Sequence, residues 1–416
     1  MILKNKHSSL AKNTFFLYVL TFSNQILGLF TIPYLTRIFG PSIYGELGMA
    51  LSLMTYIQII LDFGFILSAT ELIAVNRDNR TICSTVFSTV IFIKIILILI
   101  SALVFLCICM LIPSWRTKIV LYALFYFAYA INSLLPDFVY RGMEQMKTIT
   151  IRTVFIKILF TVLVFILIKD KNDLLKYPII LGIGNLGAVI YSVCHVRRTY
   201  DIHMIRPEKK YVSILCSRTI PFFVSRIAST FYQAATTIIL GSIYVGQDIV
   251  GFYSSADKLM SLTKSVSSPV ADSLYPYMVK NKDYKLIKIV LMTVIPIITI
   301  IGIFSFIFAE KICIFLFGTE YGAAKNILRC MIPAMIVIFP TYILSFPVLI
   351  PMGLSKKANM SNIIGAVVQS FFLIALFCSS NINAYSIIIC GSISEIIVFL
   401  YRLVIVLKNC KKHKTV

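Results

Sequence analysis

Apolar runs of about 20 residues, separated by short polar segments, recur along the whole chain. Twelve such runs can be marked: residues 13–34, 44–68, 83–112, 119–140, 153–169, 177–196, 219–245, 249–277, 286–308, 328–352, 358–378 and 384–407. An α-helix rises ~1.5 Å per residue and the hydrocarbon core of a bilayer is ~30 Å thick, so each run is long enough, or nearly so, to cross as a helix. Residues 289–309 and 330–355 carry no charge, and neither do 358–394. The last of these is too long for one helix, and the polar turn SSNIN at 379–383 divides it. The first run follows a basic stretch, MILKNKHSSLAK, as in a signal peptide. Yet it continues without charge from Asn13 to Thr36 and no small-residue cleavage pattern follows, so it reads as a span. The polar segments are too short for an extramembrane catalytic domain.

Composition agrees with a polytopic membrane protein. Hydrophobic residues make up 59% and charged residues 13% of the 416, against roughly 25% charged in soluble domains. Lys and Arg collect on alternate sides of the spans. With the N-terminus in the cytoplasm, and Lys169, Lys288 and Arg329 at the span edges counted with the adjoining segments, inside segments hold 24 of the 39 basic residues, outside segments 9 and the span interiors 6. The positive-inside bias then places both termini in the cytoplasm, and topology accounts for most of the +22 charge without nucleic acid. The ten cysteines are scattered, with no C-x-x-C, and read as small apolar packing residues. The four histidines show no metal-site spacing.

One predicted helix breaks the pattern. GFYSSADKLMSLTKSVSSPVADSLYPYM, 251–278, is long enough to span but carries Asp257, Lys258, Lys264 and Asp272. At helical spacing Ser254, Asp257, Ser261, Lys264, Ser265, Ser268 and Asp272 form one stripe, opposite Leu259, Leu262, Val266, Val270 and Leu274. A charge facing lipid at the midplane costs about 3 kcal/mol or more, so the stripe is expected to face water or protein. Other charges within spans are Lys94, Lys157 and Arg226, with Asp62, Asp137 and Glu395 as partners. For Lys157 a structural pair or a lysine snorkelling to the interface is the simpler account; for Lys94 both readings stand. Arg226, Lys258 and Lys264 are candidates for binding an anionic group, Arg as a planar fork and Lys as a mobile point charge.

The chain also repeats itself. Shifted by 206 residues, IPYLTRIFGPSIYGELGMALSLM (32–54) falls on IILGSIYVGQDIVGFYSSADKLM (238–260), and at 205 NRDNR (76–80) falls on NKDYK (281–285). The shift spans six predicted helices, so the halves share one orientation: a parallel repeat with its interface at the centre. The expected organisation is an N-terminal six-helix bundle over 1–196, a basic cytoplasmic linker over 197–218, a C-terminal six-helix bundle over 219–407 and a basic tail over 408–416. The fold class expected is all-α: twelve transmembrane helices in two pseudo-symmetric bundles around a central cavity.

Several of these segments resemble a known family. RIFGPSIYG (37–45) resembles the R-x-x-G-x-x-x-Y-G signature of bacterial polysaccharide transporters, carried here by Arg37, Gly40, Tyr44 and Gly45. LDFGFILSAT (61–70), VGFYSSADKL (250–259) with Pro269 and Pro276, YRGMEQMK (140–147) and FGTEYGAAKNIL (317–328) are similar to further family segments, most strongly over 10–80 and 215–285. Glu71 departs from the pattern, where a basic residue is expected after S-A-T. The resemblance is to O-antigen flippases of the Wzx type, in the superfamily of the multidrug and toxin extruders. It implies alternating access and a cargo of undecaprenyl-diphosphate-linked oligosaccharide, moved to the periplasmic leaflet of the bacterial inner membrane. It also implies a cationic lumen mapped onto Arg226, Lys258, Lys264 and Lys94. Asp257, Ser261, Asp272, Asp62 and Glu395 are then polar lumen groups or sites of ion coupling.

No cofactor is expected; coupling to the membrane potential, H+ or Na+ is open. Partners would be the lipid-linked glycan, membrane lipids and glycan-assembly proteins such as the polymerase. A drug or cation extruder of the same superfamily is the alternative, but would favour an acidic, aromatic-lined cavity. A membrane polymerase or glycosyltransferase would need a large external loop. GPSIYGEL (40–47) has the glycine spacing of a phosphate loop, but Glu46-Leu47 replaces the Lys-Ser/Thr, which excludes ATP hydrolysis there.

Overall fold

The computed structural model describes the backbone of residues 2–207, 209–379 and 383–413. Side chains are described from 15 to 409, except at 17, 24, 208–210, 221, 222, 224–226, 228–234, 276, 346 and 380–382. The described residues are predominantly helical, with no strand. In hydrocarbon each backbone N–H and C=O must be satisfied within the chain, and a helix does this locally. The helices are α1 (Ile2–Asp62), α2 (Phe65–Val75), α3 (Arg80–Leu111), α4 (Pro113–Arg116), α5 (Ile119–Ser133), α6 (Asp137–Gly142), α7 (Met146–Leu167) and α8 (Lys176–Tyr200). After these come α9 (Lys209–Ile243), α10 (Asp248–Asn281), α11 (Tyr284–Ile307), α12 (Ala309–Phe317), α13 (Lys325–Ile343), α14 (Ser355–Cys378) and α15 (Ala384–His413).

Nine stretches among the described residues are long and apolar enough to cross a membrane. One of them, Tyr18–Val75, far exceeds a single crossing; it bends at Gly40, whose φ of 69° and ψ of 176° leave the helical region within α1. The first two predicted spans thus meet at a glycine kink rather than a loop. At 35 and 34 residues, α9 and α10 are also long enough to cross, but neither is among the nine apolar stretches. The protein is a multi-pass, all-helical membrane protein.

Contacts divide the chain into two compact units: Met1–Tyr34 with Ala50–Ile227, and Leu35–Met49 with Ala228–Val416. Residues 35–49 therefore pack with the C-terminal helices, and 197–227 with the N-terminal ones, which differs from a cut at 197–218. In the first unit, a core of Phe65, Ile73, Phe87, Phe138 and Tyr140 joins α2, α3 and α6. The basic linker is docked on α3: the amides of His203 and Ile205 donate to Ser84 Oγ (3.1 Å) and Ser88 Oγ (2.8 Å). Arg80 reaches Asp201 at 2.7 Å. The hydrogen bond with His203, and then Arg80, hold the Asp201 carboxyl below the usual carboxylate range.

The second unit explains why 35–49 belongs to it. Arg37 donates to the carbonyl of Phe315 in the last turn of α12 at 2.8 Å, where a cation also meets the negative end of the helix dipole. Ser42 Oγ donates to the Gly246 carbonyl at 2.7 Å. A Cβ on Gly45 would stand 2.7 Å from the amide nitrogen of Gly251, and one on Gly48 would stand 2.6 Å from Ser254 Cβ. Gly45/Gly251 and Gly48/Ser254 are the pairs that the 206-residue repeat aligns, so equivalent positions of the repeat pack on each other. Small residues at such spacing let helix backbones approach closely.

Each unit also holds a buried arginine clamp. Arg152 on α7 donates to Ser192 on α8 at 2.9 Å and pairs with Asp137 at 2.9 Å. Arg402 on α15 donates to Ser361 on α14 at 2.8 Å, to the Thr341 carbonyl at 2.8 Å and to Asn362 Oδ1 at 2.7 Å. Arg152 and Ser361 are each the seventh residue of their helix, and Ser192 and Arg402 lie about two thirds of the way along the next. The two units thus make the same helix–helix bond with arginine and serine exchanged.

Candidate functional site

The polar helix α10 begins after Gln247 and packs on α13 through Tyr253, Ala256 and Met260 in a core with Ile327, Met331 and Ile338. Its hydroxyls are largely satisfied by their own helix. Ser255 bonds the Phe252 carbonyl, Thr263 that of Leu259, Ser265 that of Ser261, Ser267 that of Thr263 and Ser273 that of Val270, at 2.8–3.0 Å. Hydroxyls bonded back in this way need no water.

The stripe divides along its length. Ser254 is buried where Gly48 packs against it. In the middle lie the charged groups. Lys264 Nζ contacts Glu395 Oε1 of α15 at 2.8 Å, the two side chains being 21% and 10% exposed. Asp257 lies within electrostatic reach of Lys258, Lys264 and Glu395, and Asp257, Lys258 and Ser261 are half-buried. Towards the helix end Asp272 is exposed and accepts from Ser268 Oγ at 3.3 Å. A cysteine at 272, in a cysteine-free background, should therefore react with a membrane-impermeant maleimide, whereas cysteines at 254 and 267 stay protected. Equal labelling at the three positions would contradict this packing.

The apolar side of α10 is equally defined. Leu262, Val266 and Val270 line a cavity of about 620 Å³ together with Val294, Ile298 and Ile332 of α11 and α13. The Thr263 and Ser267 hydroxyls on this wall are those already bonded to their own backbone. The helix thus separates a charged neighbourhood from an alkyl-lined one.

Of the other candidates, the Arg226 side chain lies outside the described residues. Lys94 and Asp62 belong to the N-terminal unit. Lys94 is buried, 5% exposed, donates to the Ser133 carbonyl and lies within electrostatic reach of Asp62 and Asp137. Gln58 Nε2 donates to Asp62 at 2.9 Å. Lys157 is half-buried on α7. The signature residues Arg37, Gly40 and Gly45 make the kink and the close packing described above, and Tyr44 is buried. Sequence reasoning passed over Arg402, although a lone arginine within the apolar run 384–407 was a visible signal, and it placed Arg152 only in a loop.

This fold defines a class, the multi-pass helical membrane proteins. The chain is similar to a structure titled "Inward-facing conformation of a multidrug resistance MATE family transporter of the MOP superfamily". The TM-score is 0.71 at 16% identity, covering 94% of this chain and 96% of that one. It is also similar to the inward closed conformation of the lipid II flippase MurJ, with a TM-score of 0.55 at 17% identity over 94% and 86% of the two chains. Residues 10–282 match the family described as "Polysaccharide biosynthesis protein", and the chain belongs to that family. Two relatives carry the name "Putative O-antigen transporter". The one from Escherichia coli (strain K12) is 29% identical over 268 residues, 64% of this chain and 64% of its own length. The one from Shigella dysenteriae is 24% identical over 405 residues, 94% and 98% of the two chains.

Proposed function

We propose that the protein is a flippase for oligosaccharide linked to undecaprenyl diphosphate, carrying O-antigen-type units from the cytoplasmic to the periplasmic leaflet of a bacterial inner membrane. Membership in the polysaccharide biosynthesis family carries this reading, and the relatives named for O-antigen transport support it. Twelve crossings, both termini in the cytoplasm and alternating access between the repeats are part of the proposal.

The physical need is plain. Each sugar hydroxyl left unpaired in hydrocarbon costs roughly 4–8 kcal/mol on the cyclohexane scale, and the diphosphate adds charge. A polar path lets the headgroup cross while the prenyl tail stays among lipids. Lys264, Lys258 and Arg226 would bind the diphosphate, while Ser261 and Asp257 line the path; Lys94, Asp62 and Asp272 are secondary candidates. The protein moves its cargo without making or breaking covalent bonds. A group of charge −2 leaving a negative interior gains about 5 kcal/mol per 100 mV, so the membrane potential suffices as a bias.

Complementation tests the reading. In a strain lacking its own flippase the protein should restore surface polysaccharide. Lys264→Ala and Arg226→Ala should abolish it at unchanged protein levels. Failure of the wild type to complement strains of matched glycan type would reject the function. Full activity of both variants would remove the two residues from it.

A further inference from the structure

A lysine inside a span is costly when alone, about 3 kcal/mol at the midplane, yet a carrier that binds anions needs such a cation when its site is empty. The Lys264–Glu395 contact meets both demands. We propose that Glu395 is the resident counter-ion of Lys264, and that a phosphate group of the cargo takes its place during binding. This rests on the flippase reading and adds to it a role for a residue on α15.

Three observations carry the exchange. The Lys264 ammonium meets one carboxylate oxygen of Glu395 at 2.8 Å, and the lysine side chain is 21% exposed, within reach of an incoming group. The arginines are more enclosed: Arg402, 5% exposed, donates to three acceptors on α13 and α14, and Arg152, 4% exposed, holds both Asp137 and Ser192. An ammonium has three donors on a flexible stem and changes partners readily, where a guanidinium fork in a fixed frame does not. Finally, carboxylates accompany the lysines: Asp257 and Glu395 stand with Lys258 and Lys264. Positive charge turns towards a ligand only when a carboxylate gives up its lysine.

The test is binding of undecaprenyl diphosphate, with undecaprenol as the neutral control, to the purified full-length protein in detergent. The wild type should prefer the diphosphate. Glu395→Gln should bind it about tenfold tighter and Lys264→Met about tenfold weaker. The double variant should bind no tighter than Lys264→Met. A merely structural pair would lower affinity in both single variants. If the wild type prefers the diphosphate but Glu395→Gln binds it equally or more weakly, the counter-ion role is overturned and the flippase reading stands. If the wild type shows no preference, both fall. Should Glu395→Gln not fold, Glu395→Asp, which weakens the contact while keeping the charge, should bind tighter than wild type. Failure of both variants to fold would make the pair structural and overturn the exchange.

Discussion

Gly251→Val is expected to abolish recovery of folded protein, and Gly251→Ala to lower its thermal midpoint sharply. A Cβ at this buried position of α10 would run into the carbonyl oxygen of Pro41 and stand 2.5 Å from its carbonyl carbon and 2.8 Å from its Cα. These are backbone atoms, so no side chain can turn aside; the kinked segment 40–45 itself must move. Overpacking of well-packed interiors costs about 1–3 kcal/mol where side chains can adjust, and a backbone clash belongs at or above the upper end. Gly187→Ala on α8 is the control. Nothing lies within 4 Å of its Cβ position, and alanine is a better helix former by about 1 kcal/mol. Heating detergent-solubilised protein and following the monodisperse fraction would separate the two. A Gly251→Ala variant as heat-resistant as Gly187→Ala would mean that the seam between 40–49 and 246–254 is not close-packed.

The same seam shows what the sequence could and could not disclose. Apolar runs report which segments enter hydrocarbon, because that depends on composition alone, and the all-helical, multi-span class was legible from them. The 206-residue repeat was legible too, through Gly40, Gly45 and Ala50. What it did not reveal is that Gly45 and Gly48 touch their own repeat equivalents, Gly251 and Ser254. Periodicity says which face is small, not which element receives it, so the packing of residues 35–49 with the C-terminal helices was not legible from it. The stripe on α10 was visible, but its serines counted as polar although a hydroxyl bonded to the carbonyl a turn earlier is already satisfied. The demand for a partner lies with the charged members and with Ser254, whose buried hydroxyl has none among the described residues. Glu395 was named as an intramembrane acid, but its pairing with Lys264 crosses 131 residues and leaves no local trace. Arg402 was missed because an apolar span reads as a span whether or not one arginine interrupts it.

Arg402→Ser should be among the most destabilising single changes in the C-terminal unit, by about 3 kcal/mol or more, because it strips a charged donor from three buried or part-buried acceptors at once. Ser361→Arg alone should also destabilise, since it sets a second guanidinium beside the first. The informative variant is the double exchange, Ser361→Arg with Arg402→Ser. It rebuilds in α14 and α15 the arrangement that α7 and α8 already use, with arginine on the earlier helix and serine on the later. The rescue should be partial: the Thr341 carbonyl and Asn362 lose their donor, and in the N-terminal unit Arg152 has Asp137 beside it as well. Thermal melts of the four proteins supply the cycle, in which residues sharing one bond show coupling and independent sites add. Recovery of more than half the loss would mean that the two helix pairs present equivalent frames, in which the arginine's side of the bond is interchangeable. Simple additivity of the two losses would mean that the exchanged clamps arose on frames too different to share a side chain, and the internal repeat would then extend only to the backbone.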